Sequence, residues 1–204
     1  MSGDMIARLL LAPLALVLLV LPVRADQLSL NEISRYLNGL QTATADFTQI
    51  NPDGTISTGE LFIRRPGRMR FEYEQPDPTL VMAGGGQVAI FDGGSNIATP
   101  EQYPLARTPL NIILERNVDL SRRNMVTGHS YDGTATTVRA QDPQHPEYGS
   151  IELKFTDNPV ELRQWIVTDS GGNRTTVSLG PLSTGANLSA ALFNIPLEIQ
   201  RRGR

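Results

Sequence analysis

Cysteine is absent from all 204 residues. That excludes disulfides, thiol catalysis and a lipid-bearing cysteine behind an export signal. Histidine is nearly absent: there are only two, His129 and His145, in polar, turn-like surroundings with no partner at ligand spacing. Surface positions are expected for both, rather than a metal site or a general base. Gly84-Gly85-Gly86 lacks a following Lys-Ser/Thr, so a tight turn or hinge is expected there and not a phosphate cradle. Gly128-His129-Ser130-Tyr131-Asp132 lacks the closing glycine of a nucleophile elbow. Asp169-Ser170-Gly171 resembles the loop of an aspartic protease, but a second such loop is missing. A hairpin turn between two alternating strands accounts for it. The expectation is therefore no catalytic residues, no metal and no cofactor. Basic stripes are lacking too. The net charge is -3, and mild acidity argues against a nucleic-acid partner.

Long apolar runs are confined to the start of the chain. Arg8 is followed by 13 largely apolar residues, Leu9 to Leu21, and Val23-Arg24-Ala25 supplies a small residue at the expected cut. Thirteen residues are too few to cross a hydrocarbon core of ~30 Å. Residues 1–25, begun at Met1 or Met5, read as a secretory signal, with an uncleaved anchor as the alternative. Its loss removes Arg8, Arg24 and Asp4 and moves the net charge from -3 to -4. The rest, 26–204, is long enough to fold on its core alone and carries no repeat or composition break, so one domain is expected.

Ser29-Leu30-Asn31-Glu32 matches a capping box, and Leu30, Ile33, Leu37 and Leu40 then recur on one helical face. This helix is expected to end near Gly39 or Gln41. Its apolar face serves either core packing or a lid over a cavity. From Ala43 onward short alternating strands alternate with turns, a spacing that suggests an antiparallel meander or barrel. Thr108-Pro109 interrupts them, and the pattern predicts a short helix from Pro109 to Glu115 with Leu110, Ile113 and Leu114 on one face. Leu188 to Leu192 reads as a last short helix, and Ile199 to Arg204 as a polar, frayed tail.

The most informative stretch runs from Phe47 to Tyr73. Met69, Phe71 and Tyr73 alternate with charged residues, as on a strand with one dry and one wet face. Leu61, Ile63 and Arg65 share a parity, which sets a guanidinium at the end of an aliphatic row, although Phe62 on the other face weakens the pattern. Pro66-Gly67 turns the chain between the two strands. A cation beside an apolar face needs acceptors, since burying it unpaired costs several kcal/mol. On spacing alone, a strand-end Arg paired at the surface competes with a buried one, and plain core packing accounts for Met69, Phe71 and Tyr73.

In order and spacing, Phe47-Thr48-Gln49, Gly59-Glu60-Leu61-Phe62-Ile63-Arg64-Arg65-Pro66 and Met69-x-Phe71 resemble the outer-membrane lipoprotein carrier family of LolA type. Thr108-Pro109-Leu110 with Asn117 resembles that family's middle helix, and Phe193-Asn194-Ile195-Pro196 its end. The resemblance implies a mainly β fold with short helices: an incomplete antiparallel β-barrel covering a hydrophobic cavity closed by a helical lid. It implies that Arg65 latches the lid by hydrogen bonds to its backbone carbonyls. The acyl-chain wall would comprise Phe47, Leu61, Ile63, Met69, Phe71 and Tyr73. The lid helices would contribute Ile33, Leu37, Leu40, Leu110, Ile113 and Leu114. Met69 stands where better-known members carry Phe, and Phe71 where they carry Trp.

The implied role is a monomeric periplasmic chaperone for acylated lipoproteins. It would receive them from an inner-membrane ABC transporter and pass them to an outer-membrane acceptor. A related half-barrel that binds or senses lipid without carrying protein cargo is the alternative. A hydrolase is disfavoured because no nucleophile–base pair is apparent.

Overall fold

The computed structural model describes residues 26–203 except 77, 95–98, 122 and 123. The expected signal segment lies outside the described residues. Eleven strands follow one another across a single antiparallel sheet: β1 (Thr42–Ile50), β2 (Ile56–Arg64), β3 (Met69–Tyr73), β4 (Leu80–Gly84), β5 (Gln87–Phe91), β6 (Glu101–Pro104), β7 (Val126–Tyr131), β8 (Thr136–Gln141), β9 (Ser150–Asp157), β10 (Val160–Thr168) and β11 (Arg174–Leu179). Their spatial order is β6-β5-β4-β3-β2-β1-β11-β10-β9-β8-β7, and a two-residue β12 (Ser183–Thr184) also pairs with β1. Two sequential meanders are thus joined where β1 meets β11. The sheet does not close, because β6 and β7 remain its two ends.

The connection between those ends carries the short helix α2 (Asn111–Leu114), while α1 (Leu30–Gly39) precedes the first strand. Both put apolar side chains on one face of the sheet. The main core joins Ile33 and Leu37 of α1 and Ile113 and Leu114 of α2 to Leu61, Phe71, Leu153, Phe155 and Trp165 of the strands. The capping box forms as its sequence implies. Ser29 Oγ accepts from the Glu32 amide, and the Glu32 carboxylate accepts from the Ser29 amide at 2.8 Å.

Three expectations are corrected. The middle helix starts later than Pro109. Thr108 to Leu110 form a turn whose carbonyls accept from Asn111, Ile112 and Ile113, and the helix proper begins at Asn111. At Leu188 to Leu192 the expected helix is a 3-10 turn spanning Ala190–Phe193. The supposedly frayed tail is a third helix, α3 (Ile195–Arg202), capped by Asn194, whose side chain accepts from the Leu197 amide. Ile195 and Ile199 lie on Leu80, Met82, Ala89 and Phe91, the residues of β4 and β5 that face away from α1 and α2. The short polar sequence hid this helix because its stability comes from that second small core. β6 went unread because all four of its residues are exposed at a sheet edge, so no alternation marks it.

Candidate functional site

Cross-strand register explains how the inner wall is assembled. Ala43, Ile63, Met69, Ala83 and Val88 lie opposite one another from β1 to β5, and Ala45, Leu61, Phe71, Val81 and Ile90 form the adjacent row. Opposed residues share a face, so each strand adds one apolar side chain per row. Phe47, Gly59 and Tyr73 make the next row. Having no side chain, Gly59 leaves room for the Phe47 and Tyr73 rings to meet edge-on, 5.1 Å between centroids. Phe71 stands edge-on to Phe47 at 5.2 Å and to Trp165 of β10 at 6.1 Å.

Of the sequence-read wall, Phe47, Leu61, Ile63, Met69 and Phe71 are all buried, at 5% exposure or less, while Tyr73 is half-buried and donates its hydroxyl hydrogen to Gln49 Oε1. Ile33, Leu37, Leu40, Ile113 and Leu114 are buried against the same core, and Leu110 packs on its margin. The structure therefore brings the two sets together. It does so as packed side chains, those of the helices lying in one core with those of the strands. A cleft of ≈ 370 Å³ adjoins α2, lined by apolar residues such as Pro109, Ile112 and Met125 and by polar ones such as Asn111, Glu115 and Asp142.

Arg65 follows β2 directly and keeps the parity of Leu61 and Ile63. It is only 6% exposed, and its Nη2 donates to the carbonyl of Glu115 at the end of α2 at 2.5 Å. Among the described residues its buried Nε and Nη1 have no partner. Burial pulls the guanidinium below its ordinary pKa, and the Glu115 charge works in the opposite direction. Two backbone bonds flank it: the Arg65 amide donates to the Gln41 carbonyl at 2.8 Å, and the Gly67 amide to the Leu114 carbonyl at 2.9 Å. Gly67 sits at φ 71°, a left-handed conformation that glycine adopts without strain.

Sequence reasoning missed how the helices are tied to one another and to the far side of the sheet. Asn38 of α1 bonds Val118 beyond α2 through both halves of its side-chain amide, and Ser34 Oγ accepts from the Leu120 amide at 3.0 Å. A bulge between Leu162 and Gln164 interrupts the β9–β10 ladder, and there the Leu162 amide donates to the Tyr36 hydroxyl at 3.1 Å. The Tyr36 ring also stands edge-on to Phe155. Asparagine and serine on a helix carry no periodic signature, so none of these bonds could be read from spacing.

The residues weighed for catalysis fall elsewhere. Asp169 closes the β10–β11 hairpin, where its carboxylate accepts from Gly171 and Asn173 and is held below the usual carboxylate range by the Asn173 side chain first. His129 is exposed and donates from Nε2 to the Leu28 carbonyl, while His145 stacks on Tyr148. Among the described residues no three His, Asp or Glu gather as a metal site would require.

A family model for "Outer membrane lipoprotein carrier protein LolA" matches residues 38–196, which span the wall, Arg65, α2 and the start of α3. The chain belongs to the LolA family. A LolA relative from Azotobacter vinelandii, named outer-membrane lipoprotein carrier protein, is 25% identical over 180 residues, 85% of this chain and 86% of its own. The carrier protein of the same name from Pseudomonas syringae pv. tomato is 25% identical over 197 residues, covering 93% and 94%. Among solved structures, a LolA superfamily protein from Nitrosomonas europaea aligns with TM-score 0.44 at 8% identity, over 82% of this chain and 98% of that one.

Proposed function

We propose that this chain is a periplasmic carrier that shelters the acyl chains of lipoproteins released from the inner membrane and delivers them to an outer-membrane acceptor. Family membership supports the carrier role. The observation that carries the mechanism is the pair of bonds from Arg65 and Gly67 to the last carbonyls of α2, made over an apolar inner wall.

Each methylene moved out of a membrane needs about 0.8 kcal/mol of compensation from another apolar site. The inner wall offers that surface, and the helices keep it from standing open as an adhesive patch. Acyl chains enter when α1 and α2 withdraw their own side chains, so cargo replaces one apolar neighbour by another. The α1 side remains anchored through Tyr36 and Leu162, while the side held by Arg65 and Gly67 lets go. A latch built from a few hydrogen bonds, at roughly 1.5–3 kcal/mol for one made by a charged group, yields to several buried chains yet holds in their absence. Release follows when an acceptor binds the chains more tightly. The inner-membrane donor is an ABC transporter that extracts lipoproteins, and the carrier works as a monomer.

Incubation of the mature protein with cells stripped of their outer membrane tests this. The expected result is an acylated protein released as a soluble one-to-one complex; release of free lipid alone, or of nothing, contradicts it.

A further inference from the structure

The closed lid leaves Arg65 in an unusual state. One of its nitrogens holds the Glu115 carbonyl, whereas Nε and Nη1 are buried and unpartnered among the described residues. A buried donor left unmade costs about 1–3 kcal/mol, so the closed arrangement is both held and strained by the same side chain. The parity of β2 places this guanidinium at the end of the row Leu61, Ile63, Arg65, which runs along ~13 Å of chain. A chain lying along that row with its polar end outward would bring that end to the two free donors.

We propose that Arg65 is also a cargo-binding site, its Nε and Nη1, which point to opposite sides of the guanidinium, each donating to a carbonyl oxygen through which an acyl chain is attached as an ester or amide. The inference rests on the carrier reading above and names the group that the wall recognises beyond hydrocarbon. Loading then exchanges acceptors: the guanidinium gives up a lid carbonyl and gains a cargo carbonyl. Opening is linked to the presence of a true acyl linkage rather than to any apolar molecule. A site with positioned donors discriminates sharply against an analogue that lacks the acceptor, because the donors are then left buried and unpaired.

The test compares 1,2-dioctanoylglycerol with its 1,2-dioctyl ether, which has the same chains without carbonyls, on the mature wild-type protein. Binding is read from the fluorescence of Trp165, and the Arg65 Nε–H resonance reports on the donor itself. The expected outcome is tighter binding of the ester by about tenfold, a shift of the Nε–H resonance with ester only, and loss of the preference in Arg65→Leu. Arg65→Lys, which keeps a charged donor, is expected to retain part of it. Equal affinity for ester and ether in the wild type would overturn the carbonyl site while leaving an acyl-binding interior in place. Binding of neither would remove the carrier reading and the inference together. Decanoate binding more tightly than the diester would mark a fatty-carboxylate site and overturn the assignment. The wild-type arms do not depend on either variant folding.

Discussion

Asn38 and Val118, eighty residues apart, are joined twice: the side-chain amide donates to the Val118 carbonyl at 2.8 Å and its oxygen accepts from the Val118 amide at 2.9 Å. With Ser34 and Leu120 this ties α1 to the segment that follows α2. Asn38→Ala strands two part-buried backbone groups and should cost about 1–3 kcal/mol in urea unfolding. Amide exchange in α1 and α2 should speed up together. Acceleration confined to α1 would show that the two move separately.

Gly59 is needed for a close approach. A Cβ there would run into the Glu72 carbonyl oxygen and the Phe47 ring. Gly59→Ala should therefore push β2 from β3 and destabilise by about 1–3 kcal/mol, the usual cost of overpacking. The near-ultraviolet signal of the Phe47–Tyr73 pair should change with it. Unaltered stability would mean the strand accommodates a methyl freely.

Arg70 faces away from α1 and α2 and anchors the third helix. It contacts Glu72 at 2.5 Å and Glu198 of α3 at 3.5 Å, donates to the Leu192 carbonyl, and has a side chain only 10% exposed. Glu198→Leu leaves Arg70 with Glu72 and should cost about 2 kcal/mol, less than a fully broken buried pair. Since α3 and the lid lie on opposite faces, acyl loading per folded molecule should be unchanged; impaired loading would tie α3 to the site.

Acid should weaken the molecule in a defined direction. Glu32, Asp53, Asp132, Glu147 and Asp169 are all held below their ordinary range, chiefly by hydrogen bonds from Ser29, Thr55, Thr134, His145 and Asn173 respectively. In each case the unfolded chain binds protons more readily, so stability rises with pH across the interval between the two values. Their contribution should be complete above the ordinary carboxylate values of 4.5 for Glu and 3.8 for Asp and decline as pH falls further. Urea midpoints measured from pH 7 to pH 3 check this; a midpoint that rises on acidification contradicts it.

Much of this architecture was legible where one face is dry. Met69-x-Phe71 and the Leu61, Ile63, Arg65 parity marked residues that are buried in the structure, because a half-buried strand prints its two faces on alternate residues. The capping box located α1 for a similarly local reason. What stayed hidden depends on partners distant in sequence: Asn38 with Val118, Tyr36 with the bulge at Leu162, and α3 with β4 and β5. Trp165 sits at 1% exposure against Phe71 on the inner wall, a place that no pattern in the sequence marks.

That tryptophan is the only one in the chain, and it gives the most direct test of where cargo goes. Acyl chains brominated near mid-chain should quench Trp165 fluorescence saturably as they bind, since chains admitted between helices and sheet come to lie against the Phe71–Trp165 contact. Stoichiometric binding of the brominated chains with Trp165 emission unchanged would place them outside the wall and contradict the account.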